Sequence, residues 1–337
     1  MTEKKRGAII GIGGIGMWHG EMMQATGRIQ LVAVCDLNEA LREKAAAKFP
    51  DAAFYTSYRE MLSREKPDIT AVVTPHNLHA PIAIHALQAG SNVIVEKPMA
   101  TRYEDAVAMI RAARRARRSL TVFHNRRLDG WYLAAMSVIR SGILGDLVEM
   151  HSAINYKPSP ATWRGWKEAS GGILFDWGAH LVDYLLHFAR SPVRSVSGFF
   201  YRARRSNPAH VEDHGSLQMK FASGATGTVT ISGADRSAPL RYRIVGTRGT
   251  LTDEWNWSDD SKLKVFTAMP GGEQATMEVK YARTQPQKYY DNIADHLCEG
   301  KPLLVSPESA AMVINVLCAA ERSHLKGGAP VPLSRAP

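Results

Sequence analysis

Six residues near the start of the chain, Gly11-Ile-Gly13-Gly-Ile-Gly16, leave the backbone few ways to continue. They follow the apolar run Ala8-Ile-Ile and open a helical pattern, so a strand, a glycine turn and a helix come in immediate succession. The first glycine makes a tight turn, the second lets another group approach the backbone, and the third permits close helix packing. The same alternation continues downstream. Ile29-Gln-Leu-Val-Ala-Val, Ile69-Thr-Ala-Val-Val, Asn92-Val-Ile-Val and Leu120-Thr-Val-Phe read as buried parallel strands. Helical patterns such as Asn38 to Phe49 and Pro81 to Gln88 lie between them, and Thr101-Arg-Tyr-Glu104 has the spacing of a capping box. Residues 1–124 are therefore expected to form a doubly wound parallel sheet.

Residues 125–337 follow a different grammar. After a helix ending near Ser141-Gly142, segments alternate with period two: Leu217, Met219 and Phe221 face one way, and Ser216, Gln218 and Lys220 the other. Gly227-Thr-Val-Thr-Ile and Leu240-Arg-Tyr-Arg-Ile continue the style. This predicts an α+β domain with a largely antiparallel open sheet, one helix spanning Phe175 to Ala189, and two closing helices over about 286–299 and 307–325, the second capped by Ser306. One sheet face is expected to stay uncovered and apolar, which argues for a homodimer or homotetramer.

A net charge of +10 raises nucleic acid as a partner. Its densest source, Arg111, Arg114, Arg115 and Arg118, forms one side of a helix opposite Ala106, Ile110 and Ala113, without interleaved aromatics or a recognition motif. A solvated face is the reading, with no nucleic-acid partner. Lys4-Lys5-Arg6 before the apolar run to Trp18 resembles a secretion signal, but five glycines break that run. No stretch approaches the roughly 18 apolar residues of a membrane span. Cys35, Cys298 and Cys318 lie far apart, which suits reduced thiols and a cytoplasmic location.

The chemistry is carried by three separated segments. Asp36 ends the strand pattern after the glycine turn, 20 residues beyond Gly16. A carboxylate there accepts both adenine-ribose hydroxyls and repels a 2′-phosphate, so turn residues 11–16 (Gly11, Ile12, Gly13, Gly14, Ile15, Gly16) and Asp36 together point to NAD. Glu96-Lys97-Pro98 follows the strand pattern Asn92–Val95, at the sheet end where ligands of such folds sit. Asp176 and His180, in Gly171-Gly-Ile-Leu-Phe-Asp176-Trp-Gly-Ala-His180, are spaced to share one helical face. A nucleotide site, a lysine and an Asp/His pair describe an enzyme moving a hydride and a proton, with Lys97, Asp176 and His180 as its catalytic set. Trp163 and Arg164 lie in the preceding Pro-rich loop and suit a sugar's C–H face and hydroxyls. A metal site could be drawn from Asp176, His180 and Asp183, or from His210, Glu212 and His214, but hydride transfer to nicotinamide needs none.

In order along nearly its whole length, through these motifs together with Thr74-Pro75, His79 and Asn125-Arg126-Arg127, the chain resembles the Gfo/Idh/MocA oxidoreductases. The resemblance implies a Rossmann domain followed by a C-terminal α/β domain whose open sheet commonly builds dimers or tetramers. It also implies Lys97, Asp176 and His180 as catalytic residues, and Thr74, Pro75, His76, His79, Glu96 and Lys97 beside the cofactor. Members usually carry Asn directly after the Thr/Ser-Pro pair, where this chain has His76 and then Asn77. The expected activity is NAD-dependent oxidation of a secondary hydroxyl on a sugar or cyclic polyol. His180 suits the base, since imidazole titrates at about 6.5. Lys97, holding the same oxygen, is the alternative base. A keto-sugar, dihydrodiol or bilin reductase and a non-catalytic nucleotide-binding regulator are the rival readings.

Overall fold

The five strands expected in the first half form, joined by a sixth: β1 Lys5–Ile10, β2 Ile29–Cys35, β3 Ala53–Tyr55, β4 Ile69–Val72, β5 Asn92–Val95 and β6 Leu120–Val122. The computed structural model describes residues 4–203, 207–237, 240–254, 261–269 and 271–334. All six strands are parallel, in the order β3-β2-β1-β4-β5-β6. The order in which the chain adds strands reverses between β1 and β4, which makes their carboxyl ends the crevice of a doubly wound sheet. Ile9, Leu31, Val34, Val72, Ile94 and Val122 are fully buried, each worth about 1.5–3 kcal/mol against exposure. The missed strand β3 is a three-residue edge, half-exposed, and has no apolar run to betray it.

Two helical expectations shift. The segment from Asn38 starts as a 3₁₀ turn, Glu39–Leu41, because Asn38 accepts from the Ala40 amide, and the α-helix runs only over Arg42–Lys48. The arginine-bearing helix is Tyr103–Ala116 with extended Arg102 at its cap and no side-chain cap bond. Thr101 is thus one residue too early for the capping box. Arg111, Arg114, Arg115 and Arg118 are exposed while Ala106, Ile110 and Ala113 are buried, as a solvated face requires.

The chain divides into two compact units, Met1–His124 with Pro286–Ala311, and Asn125–Gln285 with Met312–Pro337. Helix Gln287–Glu299 therefore belongs with the nucleotide-type sheet: Tyr289 and Tyr290 are buried there, and the Tyr289 ring meets Phe123 edge-on at 4.8 Å. Thr121 Oγ1 donates to the Val305 carbonyl at 2.8 Å.

In the second unit β7 Leu147–Asn155, β8 Val193–Tyr201, β9 His214–Phe221, β10 Thr226–Ser232, β11 Leu240–Gly246, β12 Gly249–Glu254, β13 Lys262–Ala268 and β14 Gln274–Lys280 make one sheet, ordered β14-β13-β12-β11-β7-β10-β9-β8. Every pair is antiparallel except β7 with β10. Met150, Met219, Val229, Ile244, Leu251 and Val265 fill the inner face, where helices Gly130–Arg140 and Gly178–Ala189 pack. The other face is not the apolar surface expected. Ser216, Gln218, Lys220, Thr226, Thr228 and Thr230 point outward, and the exposed apolar groups there are chiefly Phe199, Tyr201 and Phe266. Threonine satisfies strand propensity without needing cover. The helix expected over 175–189 is also two, Ile173–Asp176 and Gly178–Ala189. Phe175 bonds to Gly172 and His180 to Trp177, three residues back, so the ladder tightens and restarts at Trp177.

Candidate active site

The glycine turn sits where β1 and β4 part. Gly11 has φ +93°, and a Cβ there would lie 2.2 Å from the Val73 carbonyl oxygen; one on Gly16 would lie 2.0 Å from that of Gly11. No other residue fits either place. At Gly13 and Gly14 an added Cβ would meet nothing within 4 Å, so the outer side of the turn is open. The helix Gly14–Ala25 starts there without a side-chain cap or an acidic residue in its first turn, and its leading amides suit a pyrophosphate. Asp36 is fixed from two sides: Oδ2 accepts from the Ile12 amide and Oδ1 from the Asn38 amide, both at 2.9 Å. The carboxylate is thereby held beside the turn, half-buried, with lone pairs left for ribose hydroxyls. This geometry fits an adenine dinucleotide.

Thr74, Pro75 and His76 continue from β4, with Thr74 and Pro75 half-buried and His76 buried. His79 was expected beside the cofactor, but its ring is wholly internal. Nδ1 lies 2.8 Å from the Pro98 carbonyl and Nε2 3.0 Å from that of Thr74, so the imidazole ties the Thr74-Pro75 loop to the Lys97-Pro98 loop. Burial pushes its pKa down, outweighing the pull of those two carbonyls. The Lys97–Pro98 peptide is cis. Glu96 accepts from the Lys97 amide through Oε2 at 2.9 Å and faces His19 Nε2 through Oε1 at 3.1 Å. Burial alone would raise the Glu96 pKa, but the hydrogen bond with His19, aided by nearby Lys97, brings it below the ordinary carboxylate value. Trp18, on the helix that follows the glycine turn, meets Phe123 edge-on at 5.5 Å.

In the second unit Gly171 (φ +92°) and Gly172 (φ +123°) turn the chain into the helix bearing Asp176. Glu212 supplies the cap this helix lacks: Oε2 accepts from the Ile173 amide at 3.1 Å, and Oε1 takes Lys167 Nζ at 2.6 Å. Desolvation would raise the Glu212 pKa, but Lys167 and the amide depress it. Asp176, almost buried, accepts the Tyr156 hydroxyl at 2.8 Å, with Arg164 Nε 3.6 Å from the same oxygen. Arg164 lies over the Trp163 ring at 4.4 Å, so the two expected sugar-facing residues form one unit beside Asp176. Trp166 packs on His210, 4.6 Å edge to face. His180 is buried, stacked near-parallel on Tyr184 at 6.3 Å with Trp177 against its edge at 5.9 Å.

Sequence reasoning derived no role for Arg126 and Arg127, read Asp183 as structural, and passed over Tyr156. Arg127 forms a two-pronged buried pair with Asp183, Nε to Oδ2 at 2.8 Å and Nη2 to Oδ1 at 2.6 Å, which anchors the helix of His180. Arg126 stands over Trp177 at 4.7 Å and pairs with Asp129. Tyr156 directly follows β7, and its contact with Asp176 has no sequence signal beyond that placement. Among the described residues no three His, Cys, Asp or Glu side chains gather as metal ligands, and no described helix is long and apolar enough to cross a membrane.

Two family models match the chain: an oxidoreductase family with an NAD-binding Rossmann fold over residues 5–124, and the Gfo/Idh/MocA C-terminal domain over residues 132–252. The chain belongs to the Gfo/Idh/MocA family and is an NAD-binding oxidoreductase. It is 28% identical over 93% of both chains to scyllo-inositol 2-dehydrogenase (NADP(+)) of Bacillus subtilis. A 1-carboxy-3-chloro-3,4-dihydroxycyclohexa-1,5-diene dehydrogenase of Comamonas testosteroni is 33% identical, over 61% of this chain and 52% of that one. The solved NAD-binding protein of Listeria innocua superposes with a TM-score of 0.87 at 27% identity, over 98% of this chain and 97% of that one.

Proposed function

We propose that the protein oxidises a secondary hydroxyl of a cyclic polyol or sugar, an inositol, aldose or glycoside, with NAD preferred over NADP. The observation that carries this reading is the Asp176 cluster: a carboxylate held by Tyr156 and Arg164, an adjoining Arg164–Trp163 stack, and His180 buried on the next helix. Hydroxyl acceptors and donors beside an aromatic face suit a polyol ring. Two relatives act, by their names, on an inositol and on a dihydroxylated ring.

When bound, the nicotinamide supplies the hydride acceptor. In this reading His180 removes the hydroxyl proton, Lys97 holds the same oxygen, and Asp176 orients the ring hydroxyls; Lys97 as the base is the alternative. Lys97 lies in the first unit and Asp176 and His180 in the second, so their joint action is part of the proposal. Cofactor choice rests on Asp36, since the Bacillus subtilis relative is named for NADP(+) and the family alone does not decide it. The working unit is a homo-oligomer in this proposal, with Phe199, Tyr201 and Phe266 at the contact. Light scattering giving only a 37.1 kDa species at micromolar concentration would refute that part.

The test is a 340 nm absorbance screen with NAD⁺ against inositols, aldoses, glycosides and sugar phosphates. On the substrate found, Lys97→Met and His180→Ala should each lower kcat about 10²-fold or more while NAD affinity moves far less. Near-normal turnover in either variant removes that residue from the catalytic set. Activity confined to keto substrates with NADH selects the reductase, and no turnover with tight NAD binding selects the regulator.

A further inference from the structure

His19 sits on the inner face of the helix Gly14–Ala25, wholly buried. Its two ring nitrogens have different partners: Nε2 faces Glu96 Oε1 at 3.1 Å, and Nδ1 faces the Tyr290 hydroxyl at 2.5 Å. The chemistry of those partners fixes the proton positions. Glu96 is kept ionised, so it only accepts, and Nε2 must carry a hydrogen. Burial raises the Tyr290 phenol far above its ordinary range, so its hydroxyl keeps its proton and donates to Nδ1. One arrangement of the ring, a hydrogen on Nε2 and a lone pair at Nδ1, satisfies every group in a directed chain: Tyr290 O–H to His19, His19 N–H to Glu96 Oε1, and the Lys97 amide to Glu96 Oε2. Phe123 packs on the ring at 4.3 Å and Trp18 at 6.5 Å, which keeps it in one orientation.

We infer that His19 is a positioning residue for Lys97, acting through Glu96 and steadied by Tyr290 from the returning helix Gln287–Glu299. A largely enclosed carboxylate with both oxygens engaged has one orientation. Without His19, Oε1 loses its donor, the carboxylate turns toward water, and the backbone at Lys97 is freed. The inference rests on the reading of Lys97 as the group that holds the reacting oxygen, but its first test does not involve turnover.

That test is hydrogen exchange, by mass spectrometry, on the full chain carrying His19→Leu, which keeps the side chain's bulk and removes both hydrogen bonds. The Lys97 amide should exchange about tenfold faster or more, while the β5 amides Val93–Val95 keep their protection. His19→Gln, whose amide both donates and accepts, should restore most of it. Tyr290→Phe keeps the aromatic packing and should give the same effect in weaker form, which covers a His19→Leu chain that fails to fold. In turnover, His19→Leu should lower kcat about 10- to 100-fold with NAD affinity unchanged within about threefold. Unaltered Lys97 exchange in His19→Leu or, if that chain does not fold, in Tyr290→Phe overturns the inference. So does a loss of protection that spreads evenly through β5, which marks a packing role alone. If Lys97→Met stays active while exchange at Lys97 responds to His19→Leu, the catalytic reading of Lys97 fails and the positioning contact stands.

Discussion

Replacing Arg127 with Met should destabilise the second unit severely. Arg127 and Asp183 retain 7% and 2% side-chain exposure, and their two contacts at 2.6 and 2.8 Å are made without solvent. Methionine fills much of the stem volume, so the loss comes from taking the guanidinium away from the buried Asp183 carboxylate, which His187 Nε2 faces only at 4.0 Å. Removing one partner of such a pair costs about 3–5 kcal/mol. For a unit of this size each kcal/mol moves Tm by about 2–4 °C, giving a drop of about 6–20 °C. Scanning calorimetry on the full chain, with near-ultraviolet circular dichroism, reads it directly. Arg127→Met with Asp183→Leu removes both charges and should recover most of the loss, since a buried pair exchanged for apolar groups is often neutral. The drop should also change little between low and high salt, because a sealed pair is weakly screened. A single variant that loses less than about 1 kcal/mol, or a double as unstable as the single, would refute the view that burial makes this pair obligatory.

Asp36→Ser should erode or reverse the preference for NAD, measured as the ratio of NAD to NADP dissociation constants by tryptophan quenching; an unaltered protein that binds NADP tighter contradicts the role given to Asp36. Gly11→Ala should abolish NAD binding and lower Tm, because its Cβ would stand 2.2 Å from Val73 O with φ at +93°; calorimetry with and without NAD checks it. Glu212 has a depressed pKa in the folded chain, so its contribution to stability is present above the ordinary value of 4.5 and fades as pH falls through the lower folded value. Glu212→Gln should therefore be clearly less stable than the parent at pH 7, with the gap closing below about pH 4.5; a constant gap across denaturant titrations at pH 7, 5 and 3.5 contradicts this.

What could be read from the chain was what neighbours along it determine. The turn at Gly11–Gly16 announces itself because φ and close packing act within six residues, and β1, β2, β4, β5 and β6 do so because both their faces are buried. The short edge β3 does not, having little burial, whereas the equally short edge β6 is buried throughout. The break at Trp177 was hidden because its torsions remain helical and only the bonding pattern changes. At the site, Asp176 and His180 were legible as a spacing, whereas Tyr156, Glu212 and Arg127 act on partners 20, 39 and 56 residues away, and no periodicity records such pairs. The bridge His79 makes between the Thr74 and Pro98 carbonyls was hidden for a related reason: a motif position says that a side chain lies near a ligand loop, not which backbone groups it holds.

The return of residues 286–311 to the first unit has a consequence for how the chain comes off the ribosome. Phe123, His19 and Thr121 meet Tyr289, Tyr290 and Val305, which are synthesised more than 160 residues later. The nucleotide-binding sheet therefore waits, with an aromatic cavity open beside β6, while the whole second sheet is translated. A fragment cut at residue 124 would carry the glycine turn, Asp36 and Lys97 but expose Phe123 to water, and should emerge as a sticky species bound by chaperones. Appending residues 286–311 through a short linker should make the same fragment monodisperse.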